Sequence, residues 1–433
     1  MAKKSKLLEE LGNNMKDIKF ESETELEELD IEVLKDITIH MRDITDYRFD
    51  ISYHPLENII MITFLAIMGN CNEWTEIYEF GVIHQKWFSK FLNLEYGIPS
   101  VSTIRKTMAL VDPEELEEVC VNFVIDKIKQ LTELFKSDEN EENPPKDIIA
   151  YDGKVCKGSK RDNTINGEVL PVNAMTAFNV TKDIPLATKF IGEKTNEIPT
   201  GPELIKLLDL TNTISTFDAL NTQKKTIKSI ADKGGDYVGA LKGNQHNFYK
   251  EVVEFFEDTK LYEEAYKQCH YEEVEYAHST NEKRTYVITE NIGWLETNGW
   301  EKIKSIGICT REYAENGLLK KDTRYFITSL GIDDLKDFCR AIRNEWGIEN
   351  NLHWQLDVTF KEDKNRTMIK DAQANLNILR KFVVNILKLI KPLYNKSLKL
   401  IRFKIGQNFE EEIEKIFLYL NIEELKRLVV KTQ

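Results

Sequence analysis

The chain reads as an α/β protein with a helical region ahead of its sheet, and three features carry that reading. Two strand-like runs, Ile148 to Tyr151 and Ile214 to Phe217, each end directly on an aspartate, Asp152 and Asp218. Ahead of them, Leu56, Ile59, Ile60, Thr63, Phe64 and Ile67 recur at three- and four-residue steps, the period of an amphipathic or buried helix. After them, β-rich runs (Arg284 to Ile292, Lys302 to Thr310, Arg324 to Ser329) separate Asp218 from a late helical pattern that carries Glu349.

Composition bounds the reading. A chain of 433 residues holds two or three domains of roughly 100–200 residues each. Hydrophobic content of 41% and charge of 30% fit a globular protein. The N-terminus is basic and then polar with no apolar run behind it, unlike a signal peptide. The apolar stretch Ile59 to Met68 is about half the ~20 residues of a membrane span, so a cytoplasmic protein without membrane attachment is expected. Six scattered cysteines with no CxxC pair signal neither a zinc site nor a disulfide framework. The net charge of −14 excludes a protein that coats nucleic acid by global charge. Lys364 to Lys404, however, holds eleven Lys/Arg against one acid, Asp371, enough for local phosphate contacts. A solvated helix face is the plainer reading of that run.

In order along the chain, 1–45 is a polar lead-in. Residues 46–137 form a helical region in which Ser102 or Thr103 caps one helix and Asp112-Pro113 starts the next. Such short helices suit either a helix-turn-helix reader or a plain bundle. The acidic, proline-containing 138–146 reads as a linker, and 147–392 as the α/β domain. There the strand ending at Asp152 precedes the basic pair Lys160-Arg161 and a hairpin turning at Thr181-Lys182-Asp183. A helix over 201–209, the strand ending at Asp218, a helix from Thr222 to Lys233 and a strand from Tyr237 to Leu241 follow. Residues 246–334 read as an inserted β-rich subdomain, and 393–433 as a C-terminal helical tail.

The succession strand(Asp), hairpin, helix, strand(Asp), helix, strand is that of a ribonuclease-H-like core. Both aspartates sit at strand carboxyl ends, where open α/β sheets place ligands. At helical spacing Ile342, Trp346, Glu349 and His353 share one face, where a carboxylate is costly unless paired or metal-bound. Asp152, Asp218 and Glu349 thus read as a two-metal phosphodiester site. Carboxylate oxygens suit Mg²⁺ and Mn²⁺, and two such ions stabilise attacking and leaving oxygens of an in-line displacement.

The residues also resemble a family, the bacterial insertion-sequence transposases of the DDE class, in the group of H-repeat-associated proteins linked to Rhs elements. Matching strings are YHPLENIIMITFLAIMGNCNEW and GIPSVSTIRK near the start, then Asp152-Gly153-Lys154, Asp218-Ala219 with Thr222-Gln223, and Leu241 to Gln245. The run Ile348-Glu349-Asn350, Leu352-His353-Trp354, Leu356-Asp357-Val358, Phe360, Glu362-Asp363, Arg366 completes them.

The resemblance implies a DNA-cutting and strand-joining enzyme with Asp152, Asp218 and Glu349 holding two Mg²⁺, for which Mn²⁺ substitutes. Its partners would be double-stranded DNA, as terminal inverted repeats and target, and a second copy of the chain on that DNA. Lys154, Lys242, Asn244, Gln245 and Arg366 would approach the cut strand, with Arg380, Lys381 and Lys388 pointing outward from the basic helix; a structural role for the last three is an equal alternative. The chain departs from its relatives at Glu345, where a basic residue or histidine is usual, and at Leu356, where a lysine is frequent. A catalytically silent or domesticated DNA-binding derivative, and a ribonuclease-H-fold nuclease of repair or defence, stay open as alternatives.

Overall fold

The computed structural model describes residues 26–49, 52–134, 145–159, 161–163, 167–169, 171–191, 197–277, 280–297, 299–315 and 318–426. The start of the lead-in, most of the acidic linker, Lys160 and the last residues of the tail lie outside them. The N-terminal region is helical: α1 (Leu26–His40), α2 (Leu56–Met68), α3 (Trp74–Ile83), α4 (Gln85–Phe88), α5 (Val101–Met108) and α6 (Pro113–Leu134). Every residue of α2 except Glu57 is buried, so its apolar run makes a central helix rather than an amphipathic one. Ser100 caps α5, accepting from Thr103 N at 3.2 Å, two or three residues earlier than the sequence suggests. Asp112 Oδ1 caps α6 through Glu114 N at 2.8 Å, as the Asp-Pro pair predicts.

A nine-stranded sheet follows, made of β1 (Asp147–Val155), β4 (Asn173–Asn179), β5 (Ile184–Ile191), β6 (Thr213–Phe217), β7 (Asp236–Leu241), β8 (His270–Ala277), β9 (Thr280–Thr289), β10 (Ser305–Glu315) and β11 (Leu318–Thr328). A separate small hairpin joins β2 (Arg161–Asn163) to β3 (Gly167–Val169). The order across the main sheet is β5-β4-β1-β6-β7-β11-β10-β9-β8. β1 pairs antiparallel with β4 and parallel with β6, which is in turn parallel to β7. The parallel crossovers run through α7 (Glu197–Lys206) and α8 (Lys224–Asp232).

The residues between β7 and the Glu349 helix do not build a sheet of their own. α9 (His246–Glu257) and α10 (Thr259–Gln268) lead into an antiparallel meander whose last strand, β11, pairs with β7 from Tyr325↔Leu241 to Thr328↔Val238. The insertion therefore widens the central sheet. Strand alternation reveals β-structure, but not which neighbour each edge will choose.

Both faces are covered. Ile149 and Tyr151 face a core with Leu204 and Ile205 of α7 and Ile227 and Ile230 of α8. Ile148 and Ala150, on the alternate face, join a core shared with the N-terminal helices and with α12 (Lys370–Tyr394), α13 (Leu398–Gln407) and α14 (Phe409–Leu418). The core thus runs across the boundary expected near 137–147. Asn375 of α12 donates to Met108 O and Val111 O at 2.8 and 2.9 Å, plugging the turn between α5 and α6. The turn is thus packed against the long C-terminal helix α12. Arg402 of α13, 1% exposed, reaches Ile67 O at 2.6 Å and Thr359 O, and stacks over Phe360 at 4.0 Å.

Candidate active site

The parallel rungs between β1 and β6 end at Tyr151↔Phe217, so Asp152 and Asp218 are the next residues on two adjacent strands. Asp152 is not the last residue of its strand, because pairing with β4 continues through Asp152↔Thr176 to Val155↔Asn173. Its Oδ1 accepts from Gly153 N at 2.9 Å. Burial pushes the Asp152 carboxyl up to about 6; His353 and the Gly153 amide oppose that shift, while Glu197 and Glu349 add to it.

Asp218 opens a tight loop. Its Oδ1 accepts from Asn221 N at 3.0 Å and Nδ2 at 3.1 Å, and its carbonyl accepts from Thr222 N at 3.0 Å and Oγ1 at 2.9 Å. The residues after β7 brace that loop: Asn244 Nδ2 donates to Ala219 O at 2.6 Å, and Gln245 Nε2 to Ala219 O and Thr222 O at 2.8 Å.

The late helix is irregular. α11 (Leu335–Asn344) gives way to π-helical turns at Glu349–His353 and Gln355–Thr359, with Trp354 N bonding back to Glu349 O. The face predicted from regular spacing is accordingly broken: Ile342 is buried, Trp346 is 63% exposed, and the Glu349 side chain is 55% exposed. Burial cost is therefore not what singles Glu349 out. Its position does. Glu349 Oε2 lies 2.9 Å from His353 Nδ1, which is also 3.5 Å from Asp152 Oδ2. One ligand atom from each of Asp152, Glu349 and His353 lies within 4.8 Å of the others, close enough to surround one cation. The His353 hydrogen bond holds the Glu349 carboxyl below the usual range, and Lys154 and Lys157 add to this against burial.

Asp218 is outside that group of three. Between them stands Glu197, the first residue of α7, which pattern reading missed. Asn221 Nδ2, bound to Asp218, is 3.4 Å from Glu197 Oε2, and a Cβ on Gly153 would meet Glu197 Oε1 at 2.1 Å. A side chain beside Asp152 would therefore require that flexible carboxylate to shift. No local pattern marks Glu197; only the crossover of α7 brings it there.

Several basic residues expected to face DNA are engaged inside the protein. Lys154 Nζ bonds Asp357 Oδ1 at 2.6 Å, with Asp363 at 3.7 Å and Glu362 at 3.9 Å, and its side chain is 10% exposed. Arg380 pairs with buried Glu362 at 3.3 Å, Lys381 donates to Thr176 and Thr188 at 2.9 and 2.6 Å, and Lys388 pairs with Asp183 at 2.8 Å. Burial pushes both lysine amines below the usual range. The outward placement fails because α12 is buried all round from Ala372 to Ile390, the N-terminal helices covering the side the sheet leaves free. The amide nitrogens of Asn244 and Gln245 likewise serve the Asp218 loop. Lys242 and Arg366 are exposed. Glu345 forms an ion pair with Arg324, so the acid at the departing position is neutralised.

The site thus brings a strand aspartate, Asp152, to a carboxylate from a later helix, Glu349, with Asp218 beginning the loop after the adjacent strand. The chain belongs to the DDE transposase family: the transposase DDE domain matches residues 143–386, and the DDE_Tnp_1-associated domain residues 38–124. It is similar to the H repeat-associated putative transposase YhhI of Escherichia coli K12, 29% identical over 82% of this chain and 90% of the relative. The putative transposase YncI of Escherichia coli O157:H7 is 29% identical over 82% of this chain and 87% of its own. The solved piggyBac transposase synaptic complex with hairpin DNA overlaps 93% of this chain and 83% of that one, at 11% identity and a TM-score of 0.35. No helix among the described residues is long and apolar enough to cross a membrane.

Proposed function

We propose that the chain cuts DNA at the ends of an insertion sequence and joins the freed ends to target DNA, at a site formed by Asp152, Asp218 and Glu349 on a ribonuclease-H-like core. The observation that carries this is the convergence of Asp152 and Glu349, from β1 and the π-helical turn, to within ligand distance of each other. The strand order β5-β4-β1-β6-β7, with antiparallel pairs on one side of β1 and parallel pairs on the other, supports the core assignment.

The carboxylates fit divalent cations, Mg²⁺ or Mn²⁺, which when bound supply charge neutralisation at phosphorus and lower the pKa of an attacking hydroxyl. The residues supply the rest. Asp152 is fixed by the sheet and by Gly153 N, and Asp218 by its own loop, so neither reorganises when substrate arrives. Glu349 closes the site from the helix. Lys154 pairs with Asp357 and leaves Glu349, held by His353, as the carboxylate of that helix beside Asp152. Exposed Lys242 and Arg366 are the side chains best placed for the DNA backbone, and two chains would assemble on paired ends. Incubating the protein with DNA carrying the repeats that flank its coding region tests the reading. Mg²⁺-dependent nicking at the repeat ends and joined products are expected; cleavage without regard to those ends would instead indicate a general nuclease.

A further inference from the structure

The ring of His353 is 3% exposed as a residue and stands where two carboxylates would otherwise face only each other. Like charges at such separation repel and splay unless something between them carries positive potential. Ionised carboxylates have no hydrogen to give, so the 2.9 Å contact to Glu349 requires the hydrogen on Nδ1. The opposite nitrogen, Nε2, is buried without a hydrogen-bond partner among the described residues.

We propose that His353 is a positioning residue for the metal site: its Nδ1–H holds Glu349 against Asp152 at cation-binding distance before the cation arrives. The proposal rests on the metal-site reading above. Glu349 is more than half exposed and, without that bond, would be free to sample other rotamers. The bond uses Oε2 and leaves Oε1 to the ion, the arrangement by which an outer hydrogen bond orients an inner ligand. Direct ligation through Nδ1 is disfavoured by the other end of the ring. It would move the hydrogen to Nε2, where metal-bound histidines find an acceptor and this one finds none.

Mn²⁺ titration by calorimetry on the full chain without DNA tests this. His353→Leu is expected to weaken Mn²⁺ binding by roughly 10- to 100-fold, the usual loss for an orienting partner. His353→Asn, whose amide N–H reaches the Nδ1 position, is expected to restore most of it, which a merely space-filling role would not do. Should the leucine variant not fold, the wild type is read directly: pulsed electron paramagnetic resonance of its Mn²⁺ complex is expected to show no directly bound imidazole nitrogen. Strong nitrogen coupling overturns the proposal in favour of ligation. Unchanged affinity in His353→Leu overturns it in favour of no role. A wild type that binds no Mn²⁺ overturns the metal-site reading itself, and this proposal with it.

Discussion

Gln245 donates to Ala219 O and Thr222 O at 2.8 Å, tying the end of β7 to the loop that carries Asp218. Two motifs far apart in function-based reasoning thus form one structural unit. Gln245→Ala removes both bonds and the one that its Oε1 accepts from Lys242 N at 3.1 Å; Ala219 O keeps Asn244 while Thr222 O loses its partner. The expected cost is about 1 kcal/mol in denaturant unfolding. Cleavage is expected to fall by more than stability, roughly 10- to 100-fold, because a loop shift near 1 Å misaligns the carboxylate. DNA affinity measured by fluorescence anisotropy should stay at the wild-type value. A selective loss of affinity would restore Gln245 as a DNA contact.

Lys154→Met leaves Asp357 without a cation and takes one from Glu362 and Asp363, which keep Arg380 and Lys157. With Glu362 fully buried, the expected loss is on the order of 3 kcal/mol, the low end for breaking a buried pair since Asp357 is 35% exposed. Chemical denaturation measures it. A variant as stable as wild type but weaker on DNA would mean that the lysine leaves its acids to reach phosphate.

The contrast between these residues and the pattern that announced them shows what sequence carries. β1, β6 and β7 were legible because their runs are apolar, short and bounded, and the aspartates at their rungs followed directly. The motif order around Asp152, Asp218 and Glu349 was legible too, since each motif is contiguous. Arg380, Lys381 and Lys388 were not. Their partners Glu362, Thr176, Thr188 and Asp183 come from other elements, and a charged residue on a helix reads as outward unless its partner is known. The π-helical turns escaped for a related reason: regular spacing assumes i→i+4 bonding, and the exposed Trp346 marks where the assumption fails. Neither Glu197 nor the joining of β11 to β7 leaves a local trace.

Asp152 has a pH signature. Its folded carboxyl titrates about 6, above the usual carboxylate near 3.9. The folded state therefore binds more protons than the unfolded one between about 4 and 6, and Asp152 makes stability fall as pH rises through that window. Asp152→Asn removes the effect. At pH 7.5 the variant is expected to be more stable than wild type by about 1 kcal/mol, discounted for the 42% exposure of the side chain, with the gap closing toward pH 4. Thermal melts at several pH values check this; a variant less stable than wild type at neutral pH contradicts it.

Glu345→Arg installs the basic residue that the family resemblance leads one to expect, but here it sets a second cation beside Arg324. The expected outcome is a loss of about 1–2 kcal/mol in thermal stability and lower cleavage, because Arg324 already supplies the positive charge. Raised cleavage would show that the position needs its own cation.

The central claim is that Asp152, Asp218 and Glu349 act as one metal site although Asp218 stands apart from the other two. Strand cleavage at the flanking repeat ends in Mg²⁺, measured beside DNA binding for Asp152→Asn, Asp218→Asn and Glu349→Gln, tests it most directly. The account predicts that each single change abolishes cleavage and leaves binding near the wild-type level. Wild-type cleavage by any one of the three would remove that residue from the site and contradict the account.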